Sequence, residues 1–177
     1  MGEPYVVIIN NNAGLWGYNL GDTIQFTSTD PFRIRFLGRI NHYLSAFGEH
    51  MLANEVETAI ERVNNNFDIA IREFTVAPKI ENEAGRLPHH QWYIEFEQTP
   101  SDLRSYAREL DYQVRKINFH YDDLIKGKII DPLKVVDVPH GIFIQYMKSV
   151  GKLGGQNKLP RLKNDREVVD KLLLQTI

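Results

Sequence analysis

A basic, glycine-rich segment near the C-terminus has the residue types that best suit chemistry. It runs from Gly151 to Arg161 and places three glycines and three basic residues in eleven positions, between two apolar stretches typical of helices. Glycines let a backbone move and approach a ligand closely, and the basic side chains favour an anion. The segment therefore predicts a mobile anion-binding loop. The alternative is a solvated linker between two helices.

Histidines and the common catalytic motifs offer no second centre. Six histidines are present (His42, His50, His89, His90, His120 and His140). None forms a metal-binding pair at helical spacing, and the adjacent His89 and His90 point apart in any regular element. We interpret them as surface or loop residues. The sequence also lacks the serine-hydrolase elbow, the P-loop and the dinucleotide fingerprint, so no metal site and no serine-hydrolase site is predicted.

Composition bounds the class of protein. The chain has 177 residues, 42% of them hydrophobic and none of them Cys, so it can bury a core but has no disulfide, thiolate metal site or cysteine nucleophile. Its 21 Lys and Arg against 23 Asp and Glu give a net charge of −2. That balance argues against a nucleic-acid or membrane-surface protein. No apolar run is long enough for a membrane span, and no basic n-region precedes the first apolar run, so a cytoplasmic protein is expected.

A cluster of basic residues near the C-terminus suggests RNA or phosphate binding as one further class. Its members are Lys148, Lys152, Lys158, Arg161, Lys163, Arg166 and Lys171. Asp165, Glu167 and Asp170 are interleaved with them, which disfavours binding to a polyanion.

The first 30 residues predict a β-hairpin arm. Tyr5–Ile9 is a continuous apolar run of the kind buried on both faces of a sheet. Leu15–Leu20 and Thr23–Thr27 read as two short strands around Gly21 and Asp22.

From Phe32 onward the pattern predicts an α+β fold. Its elements are a strand at 32–36, a helix at 53–65, strands near 69–80 and 92–96 with a polar loop at 81–90 between them, a long helix capped by Thr99, a strand at 134–138 and two final helices. Helices on one face of a small antiparallel or mixed sheet, in a ferredoxin-like arrangement, would be the simplest closure.

Four segments, in this order, resemble one family. They are GLWGYNLGD from Gly14, FLGRIN from Phe36, AFGEHMLANEVE from Ala46 and GKLGGQNKLPRL from Gly151. Together they look like the C-terminal part of the auxin-responsive promoter (Gretchen Hagen) family of acyl acid amido synthetases. This family belongs to the adenylate-forming superfamily of acyl-CoA synthetases and luciferase. The resemblance runs from Asn10 to about Leu173 and is nearer to the bacterial branch than to the plant one.

The resemblance implies a division of the chain and an activity. Residues 1–31 would be the last β-hairpin of a large N-terminal adenylating domain, and residues 32–177 a small C-terminal lid domain. The whole enzyme would join a carboxylic acid to ATP, with Mg²⁺, and pass the acyl group of the acyl-adenylate to an amine or amino acid. Its partners would be these small molecules and its own N-terminal domain, and the present residues without that domain would be inactive.

The family's ATP-binding positions can be carried to four residues. Tyr18 and Asp22 match the family's Tyr-Arg-x-Gly-Asp hairpin, in which the acid binds the ribose hydroxyls. Asn19 replaces the arginine of that motif. Arg39 resembles the superfamily's arginine near ribose and phosphate, and His50 falls near the basic residue after the glycine turn. The plainer readings are that Asp22 is a turn residue and Arg39 a strand-end surface charge.

Two further positions imply motion and catalysis. Asn41 matches the hinge between the two domains, where relatives usually carry Asp. Lys158 resembles the catalytic lysine of the C-terminal loop, although Lys152 or Lys163 could hold that role. The rival class is a non-catalytic α+β module that binds a small ligand or a protein and needs no such lysine.

Overall fold

The computed structural model describes residues 3–39, 43–80, 85–154 and 157–174. Its elements, in chain order, are β1 (Pro4–Ile9), β2 (Tyr18–Thr29), β3 (Phe32–Arg39), β4 (Tyr43–Leu44), β5 (Met51–Leu52), α1 (Ala53–Phe67), β6 (Ile71–Lys79), β7 (His89–Phe96), α2 (Leu103–Ile117), α3 (Phe119–Lys126), β8 (Lys134–Asp137), α4 (Ile142–Ser149) and α5 (Glu167–Leu173). The predicted α+β class is confirmed. The predicted hinge residue, Asn41, lies outside the described residues.

The N-terminal arm is a three-stranded antiparallel sheet in the order β1-β2-β3. The prediction of two short strands around Gly21 and Asp22 is wrong, because residues 18–20 and 23–27 belong to the single strand β2. Gly21 has a φ of 77° and lies where the register against β1 shifts, between the pairs Val6–Thr23 and Ile8–Asn19. The glycine therefore forms a bulge within one strand, which requires the same left-handed backbone as a turn.

Strand β3 completes this sheet. The sequence places Phe32–Phe36 at the start of the α+β part, but Phe36 pairs with Ile24 and Ile34 with Phe26 across β2 and β3. The division expected at residues 31 and 32 coincides with the tight turn between two hydrogen-bonded strands. Strand pairing thus keeps residues 4–39 in one unit.

One face of the N-terminal sheet is apolar and exposed. The ring of Phe26 lies 5.6 Å from that of Tyr5 and 6.1 Å from that of Phe32, and Phe32 is 77% exposed. Ile34 and Phe36 are 58% and 60% exposed. The expectation that β1 is buried on both faces is wrong for the described residues, because Tyr5 is 51% exposed. We call this surface the apolar sheet face (Tyr5, Phe26, Phe32, Ile34 and Phe36).

The C-terminal unit is built on a sheet in the order β6-β7-β8, antiparallel between β6 and β7 and parallel between β7 and β8. Trp92, Ile94 and Phe96 of β7 are buried in a core with residues of α1 and α2, as their alternation predicts. Tyr93 enters a second cluster with residues of α4 and α5. Helices therefore cover both faces of the sheet, not the one face expected, because Ala77 of β6 and Tyr93 of β7 pack against α4 and α5 on the second face.

Helix α2 and its neighbour α3 differ from the expectation. Helix α2 is capped by Asp102, whose carboxylate accepts a 2.9 Å hydrogen bond from the amide of Ser105. Thr99, the predicted cap, instead donates to Asp137 at 2.8 Å. Helix α3 was not predicted, since its eight residues are short for a periodic signal; Asn118 caps it through the amide of Tyr121. No described helix has the length and apolar character needed to cross a membrane.

A buried carboxylate–imidazole pair fixes the segment that follows residue 42. Glu49 and His90 are both fully buried, and Glu49 Oε1 lies 3.1 Å from His90 Nε2. The same carboxylate accepts hydrogen bonds from the amides of Ala46 and Phe47 at 3.1 and 2.8 Å. The surface or loop reading of His89 and His90 is wrong, because both lie in β7 with no exposed surface.

The environment of Glu49 makes its charge a source of stability. Burial raises the pKa of the Glu49 carboxyl, but the hydrogen bond and charge of His90, with the amide of Phe47, outweigh it and leave the pKa below its usual value. A folded-state pKa below the unfolded one gives stability that is present above the unfolded pKa. That stability is lost as the pH falls through the folded pKa.

We expect Glu49→Gln, which removes the charge and keeps the size, to lower the free energy of unfolding at pH 7 by about 1.5–3 kcal/mol, the usual strength of a hydrogen bond to a charged group. The deficit should shrink as the pH falls through the pKa of folded Glu49, because the parent carboxylate then becomes neutral too. Urea unfolding at several pH values measures it. Glu97→Ala, which removes an exposed partner of Arg72, is the control and should cost under about 1 kcal/mol. A Glu49→Gln deficit of constant size at every pH would contradict the charge as its cause.

Candidate functional site

The N-terminal sheet brings Asp22 and Arg39 side by side. These residues are directly opposed in the antiparallel ladder of β2 and β3, and Asp22 is half-buried. Tyr18, which is 49% exposed, opens β2 four positions earlier. The two residues assigned by resemblance to the ribose and phosphate therefore occupy neighbouring positions.

Asn19, which replaces the family's arginine, has a local role that the sequence does not indicate. Its side-chain oxygen accepts a 2.8 Å hydrogen bond from the amide of Gly21. This bond links residues on either side of Leu20 and holds the bulge that precedes Asp22. Asn19 thus shapes the backbone at the candidate ribose site.

His50 lies on the C-terminal unit, directly after Glu49. It is exposed and has a φ of 44°, and its ring stacks on that of Tyr43 at 5.2 Å and an interplanar angle of 27°. The buried carboxylate of Glu49 fixes the chain on one side of His50, and strand β5 follows on the other. His50 is therefore held at the surface by its neighbours.

The basic loop leaves α4 through a left-handed glycine. Gly151 has a φ of 68°, and the amide of Lys152 donates to the carbonyl of Met147 at 2.8 Å, which closes the last turn of the helix. Gly154, with a φ of 90°, provides a second left-handed position. The side chain of Asn157 donates to the carbonyl of Gly154 at 3.4 Å.

Lys158 is exposed, and its ammonium makes no hydrogen bond or ion pair with any residue that the structure describes. Lys163 differs, because its ammonium lies 3.3 Å from the carboxylate of Asp165. Lys152 is also exposed, but its backbone belongs to the end of α4. Of the three lysines weighed from the sequence, Lys158 combines an unpaired ammonium with a position away from the helix end.

The segment after Lys158 is bound to β6, the edge strand of the β6-β7-β8 sheet. The amide of Val76 donates to the carbonyl of Arg161 at 2.8 Å, and the amide of Lys163 donates to the carbonyl of Val76 at 3.1 Å. The hydroxyl of Thr75 donates to the carbonyl of Pro160 at 2.8 Å. We call Pro160–Lys163 the docked segment; it lies parallel to β6 through a bridge between Val76 and Leu162.

Asn164 joins the docked segment to the segment that carries His50. Its side chain donates to the carbonyl of Tyr43 at 3.1 Å and accepts from the amide of Ser45 at 2.6 Å. The ends of two predicted site segments, 43–50 and 158–163, are therefore tied together. By contrast, Lys158 makes no hydrogen bond with Tyr18, Asp22 or His50 within the described ranges.

A cleft lies beside α1 and the start of β6. Its volume is about 520 Å³, and it is lined by the carboxylates of Glu57, Glu61 and Glu73 together with Arg72 and Arg161. None of the predicted site residues lines it. Nor does any group of three or more His, Asp or Glu in the described ranges form a metal-binding cluster.

Arg161 makes contacts that the sequence does not indicate. Its guanidinium binds Glu73 of β6 and Glu57 of α1, at 2.8 and 2.7 Å. Nothing in the local sequence signals these contacts, since the partners lie 88 and 104 positions away. Only its presence in the basic loop pointed to it.

Known proteins share both the sequence pattern and the fold. Residues 54–167 match the model of the GH3 family C-terminal domain, and residues 1–39 match that of the GH3 family central domain. The jasmonoyl-L-amino acid synthetase GH3.5 of Oryza sativa subsp. japonica is 27% identical over 173 residues, which are 93% of this chain and 29% of that protein.

Two solved structures show the same fold. The acyl acid amido synthetase GH3.15 superposes with a TM-score of 0.79 at 22% identity, over 98% of this chain and 34% of its own. The AtGH3.15 acyl acid amido synthetase in complex with 2,4-DB gives a TM-score of 0.78 at 21% identity, over 98% of this chain and 33% of its own. The chain thus spans about a third of the length of these relatives. A position nearer to the bacterial members stays a prediction.

The family expected from the order of the four motifs is confirmed by the C-terminal domain model, which covers well over half of the chain. The chain belongs to the GH3 family.

Proposed function

We propose that this chain is the C-terminal part of an ATP-dependent acyl acid amido synthetase and supplies Lys158 as its catalytic lysine. In the first half-reaction, a carboxylate oxygen attacks the α-phosphorus of ATP and pyrophosphate leaves with the electrons of the broken P–O bond. In the second, an amine attacks the acyl carbon and AMP leaves. We call the polypeptide that carries this chain together with the remaining part of its relatives the complete synthetase, and we place it in the cytoplasm.

The observation that carries this proposal is that the ammonium of Lys158 is unpaired within the described part of the chain. Adenylation brings two anions, the carboxylate and the α-phosphate, to bonding distance, so repulsion between them must be offset by a positioned cation. Among the described residues, no ion pair or hydrogen bond of the Lys158 ammonium has to break before it moves, and Gly151 and Gly154 precede it in the loop. A loop of this kind can bring the charge in for adenylation and withdraw it for the second half-reaction.

The ATP side of the proposal is supported by the pairing of β2 and β3. Asp22 and Arg39 are paired in that ladder, so the two residues assigned to the ribose and the phosphate occupy neighbouring backbone positions. Tyr18 and His50 are further exposed polar rings for the nucleotide. Magnesium would accompany ATP and be bound mainly by the remaining part of the complete synthetase.

The apolar sheet face supports an N-terminal domain as partner. Five large apolar side chains share one face, and four of them are more than half exposed. A patch of this kind marks a surface that another part of a protein covers. The relatives are about three times as long as this chain, so they contain the additional polypeptide that would cover it. Asn41, after β3, is proposed as the hinge between the two units.

We expect the 177-residue chain without that domain to be inactive, since it spans only about a third of the length of the acyl acid amido synthetases whose fold it shares. Pyrophosphate exchange with a panel of carboxylic acids should equal the blank, whereas the complete synthetase should give an acid-dependent signal under the same conditions. Acid-dependent exchange by the chain itself would contradict the proposal. A complete synthetase that binds an acid yet never exchanges pyrophosphate would favour the rival, a non-catalytic binding module.

Lys158→Ala in the complete synthetase should slow acyl-adenylate formation by a factor on the order of 10²–10³, the usual cost of removing a preorganised charge from a developing anionic centre. Amide formation from a supplied acyl-adenylate should be largely spared, because the two anions have by then already combined. Single-turnover kinetics of each half-reaction measure both effects. Lys152→Ala is the matched control, being an exposed lysine of the same loop. Loss of adenylation in Lys152→Ala or Lys163→Ala, with Lys158→Ala intact, would show that another lysine has the role.

Asp22→Ala in the complete synthetase should raise the KM for ATP roughly 10- to 100-fold, because hydrogen bonds to a charged acceptor contribute about 1.5–3 kcal/mol. The KM for the acid should change little. Steady-state kinetics with each substrate varied in turn give both constants. Asp30→Ala, which removes an exposed acid just past the far end of β2, is the control. An unchanged ATP dependence would make Asp22 a structural residue of the bulge.

A further inference from the structure

We propose that Arg161 is a positioning residue for Lys158. It binds the docked segment to β6 and α1 and so fixes the backbone position from which the side chain of Lys158 extends. The inference rests on the proposed function, since it assigns Arg161 a part in the same adenylation step. In this role Arg161 acts through Lys158 and does not itself touch the reacting groups.

The contacts of Arg161 join two elements, β6 and α1. Its Nε donates to Glu73 Oε1 of β6 at 2.8 Å, and its Nη1 donates to Glu57 Oε1 of α1 at 2.7 Å. The guanidinium carbon lies 4.9 Å from the centre of the Phe74 ring. Two carboxylates and one aromatic face thus hold one planar cation, a geometry that lysine cannot reproduce.

Both carboxylates keep this cation charged. Burial lowers the pKa of the Arg161 guanidinium, but Glu73 and Glu57 outweigh that effect and hold the pKa above its usual value. The side chain of Arg161 is 41% exposed, so the two ion pairs are screened by solvent. The two ion pairs therefore contribute little to the free energy of unfolding, and their main effect is to hold the backbone of the docked segment in place.

The backbone contacts show what Arg161 holds in place. The carbonyl of Arg161 accepts a hydrogen bond from the amide of Val76. Before it, the carbonyl of Pro160 accepts from the hydroxyl of Thr75, and after it, the amide of Lys163 donates to the carbonyl of Val76. Lys158 lies two residues before Pro160. Two residues of extended chain span at most about 7 Å, so the docked segment confines the Cα of Lys158 to a small volume at the edge of the sheet.

The position of the Lys158 ammonium affects the rate of adenylation. A cation that must neutralise two anions at bonding distance loses much of its effect when it is displaced by about 1 Å, which can cost about 10² in rate. The glycines give the loop freedom on the α4 side. Rigidity therefore has to come from the other side, and Arg161 supplies the side-chain contacts there.

Arg161→Ala and Arg161→Lys in the complete synthetase test the proposal. We expect Arg161→Ala to lower kcat for adenylation about 10²-fold, with little change in the KM for ATP or in amide formation from a supplied acyl-adenylate. Arg161→Lys should recover only part of the rate, because one ammonium cannot bind both carboxylates in the same geometry. Hydrogen exchange at the amides of Val76 and Lys163 should become faster in Arg161→Ala, since these amides make the docking bonds.

Arg72→Ala is the matched control. Arg72 also lies on β6, is 47% exposed and has an ion pair with Glu97 at 2.6 Å, but it makes no described contact with the docked segment. This variant should keep both the adenylation rate and the exchange at Val76 and Lys163. Should Arg161→Ala fail to fold, Glu57→Gln and Glu73→Gln each remove one partner at constant size and carry the same expectation in weaker form.

The outcomes separate the two proposals. Full adenylation by Arg161→Ala beside an inactive Lys158→Ala would overturn the positioning role and leave the proposed function standing. Full adenylation by Lys158→Ala would overturn the proposed function itself. Equal loss of both half-reactions by Arg161→Ala, in step with a loss of thermal stability, would show a purely structural role and also overturn the inference.

Discussion

The hydrogen bonds between Val76 and the docked segment are the constraint on which the rest of the candidate site depends. They add Arg161–Lys163 to the open edge of β6 and satisfy backbone groups that an edge strand would otherwise expose. They also divide the long connection between α4 and α5 into a glycine-containing part and a fixed part. The lysine that resembles the family's catalytic residue lies directly before the fixed part.

A second consequence is that two site segments share one support. Glu49 ties the chain around His50 to β7 through His90, and the docked segment is tied to β6, the neighbour of β7 in the same sheet. Asn164 then joins the two segments directly through Tyr43 and Ser45. In the proposed function, any rotation of the C-terminal unit about residue 41 would carry His50 and Lys158 together. The geometry between them would be preserved while their distance from Asp22 changed.

Local periodicity was enough to predict most of the secondary structure. Helix α1 follows from the spacing of its buried residues, and β7 follows from the alternation of Trp92, Ile94 and Phe96. Helix α3 was missed because eight residues offer too few turns for a periodic signal. Strand β2 was divided at Gly21 because a bulge and a turn require the same left-handed glycine, and only the partner strand distinguishes them.

The candidate site was predictable only where a motif marks it. The order of the motifs pointed to the family, and through it to Lys158, Asp22 and Arg39. The burial of His90 could not be predicted, because its partner Glu49 lies 41 positions earlier and neither residue has a local apolar pattern. The contacts of Arg161 with Glu57 and Glu73 are equally long-range. Interactions of this kind depend on the tertiary fold, which local sequence rules do not describe.

Lysine-specific labelling of the complete synthetase, read by mass spectrometry, tests the central claim most directly. In the free protein, the exposed and unpaired Lys158 and the exposed Lys152 should both be modified readily. An ATP analogue that cannot be cleaved between its α- and β-phosphorus atoms, added with an acid substrate, should protect Lys158 and leave Lys152 unchanged. Equal labelling of Lys158 with and without the analogue and acid would contradict a lysine that meets the reacting phosphate.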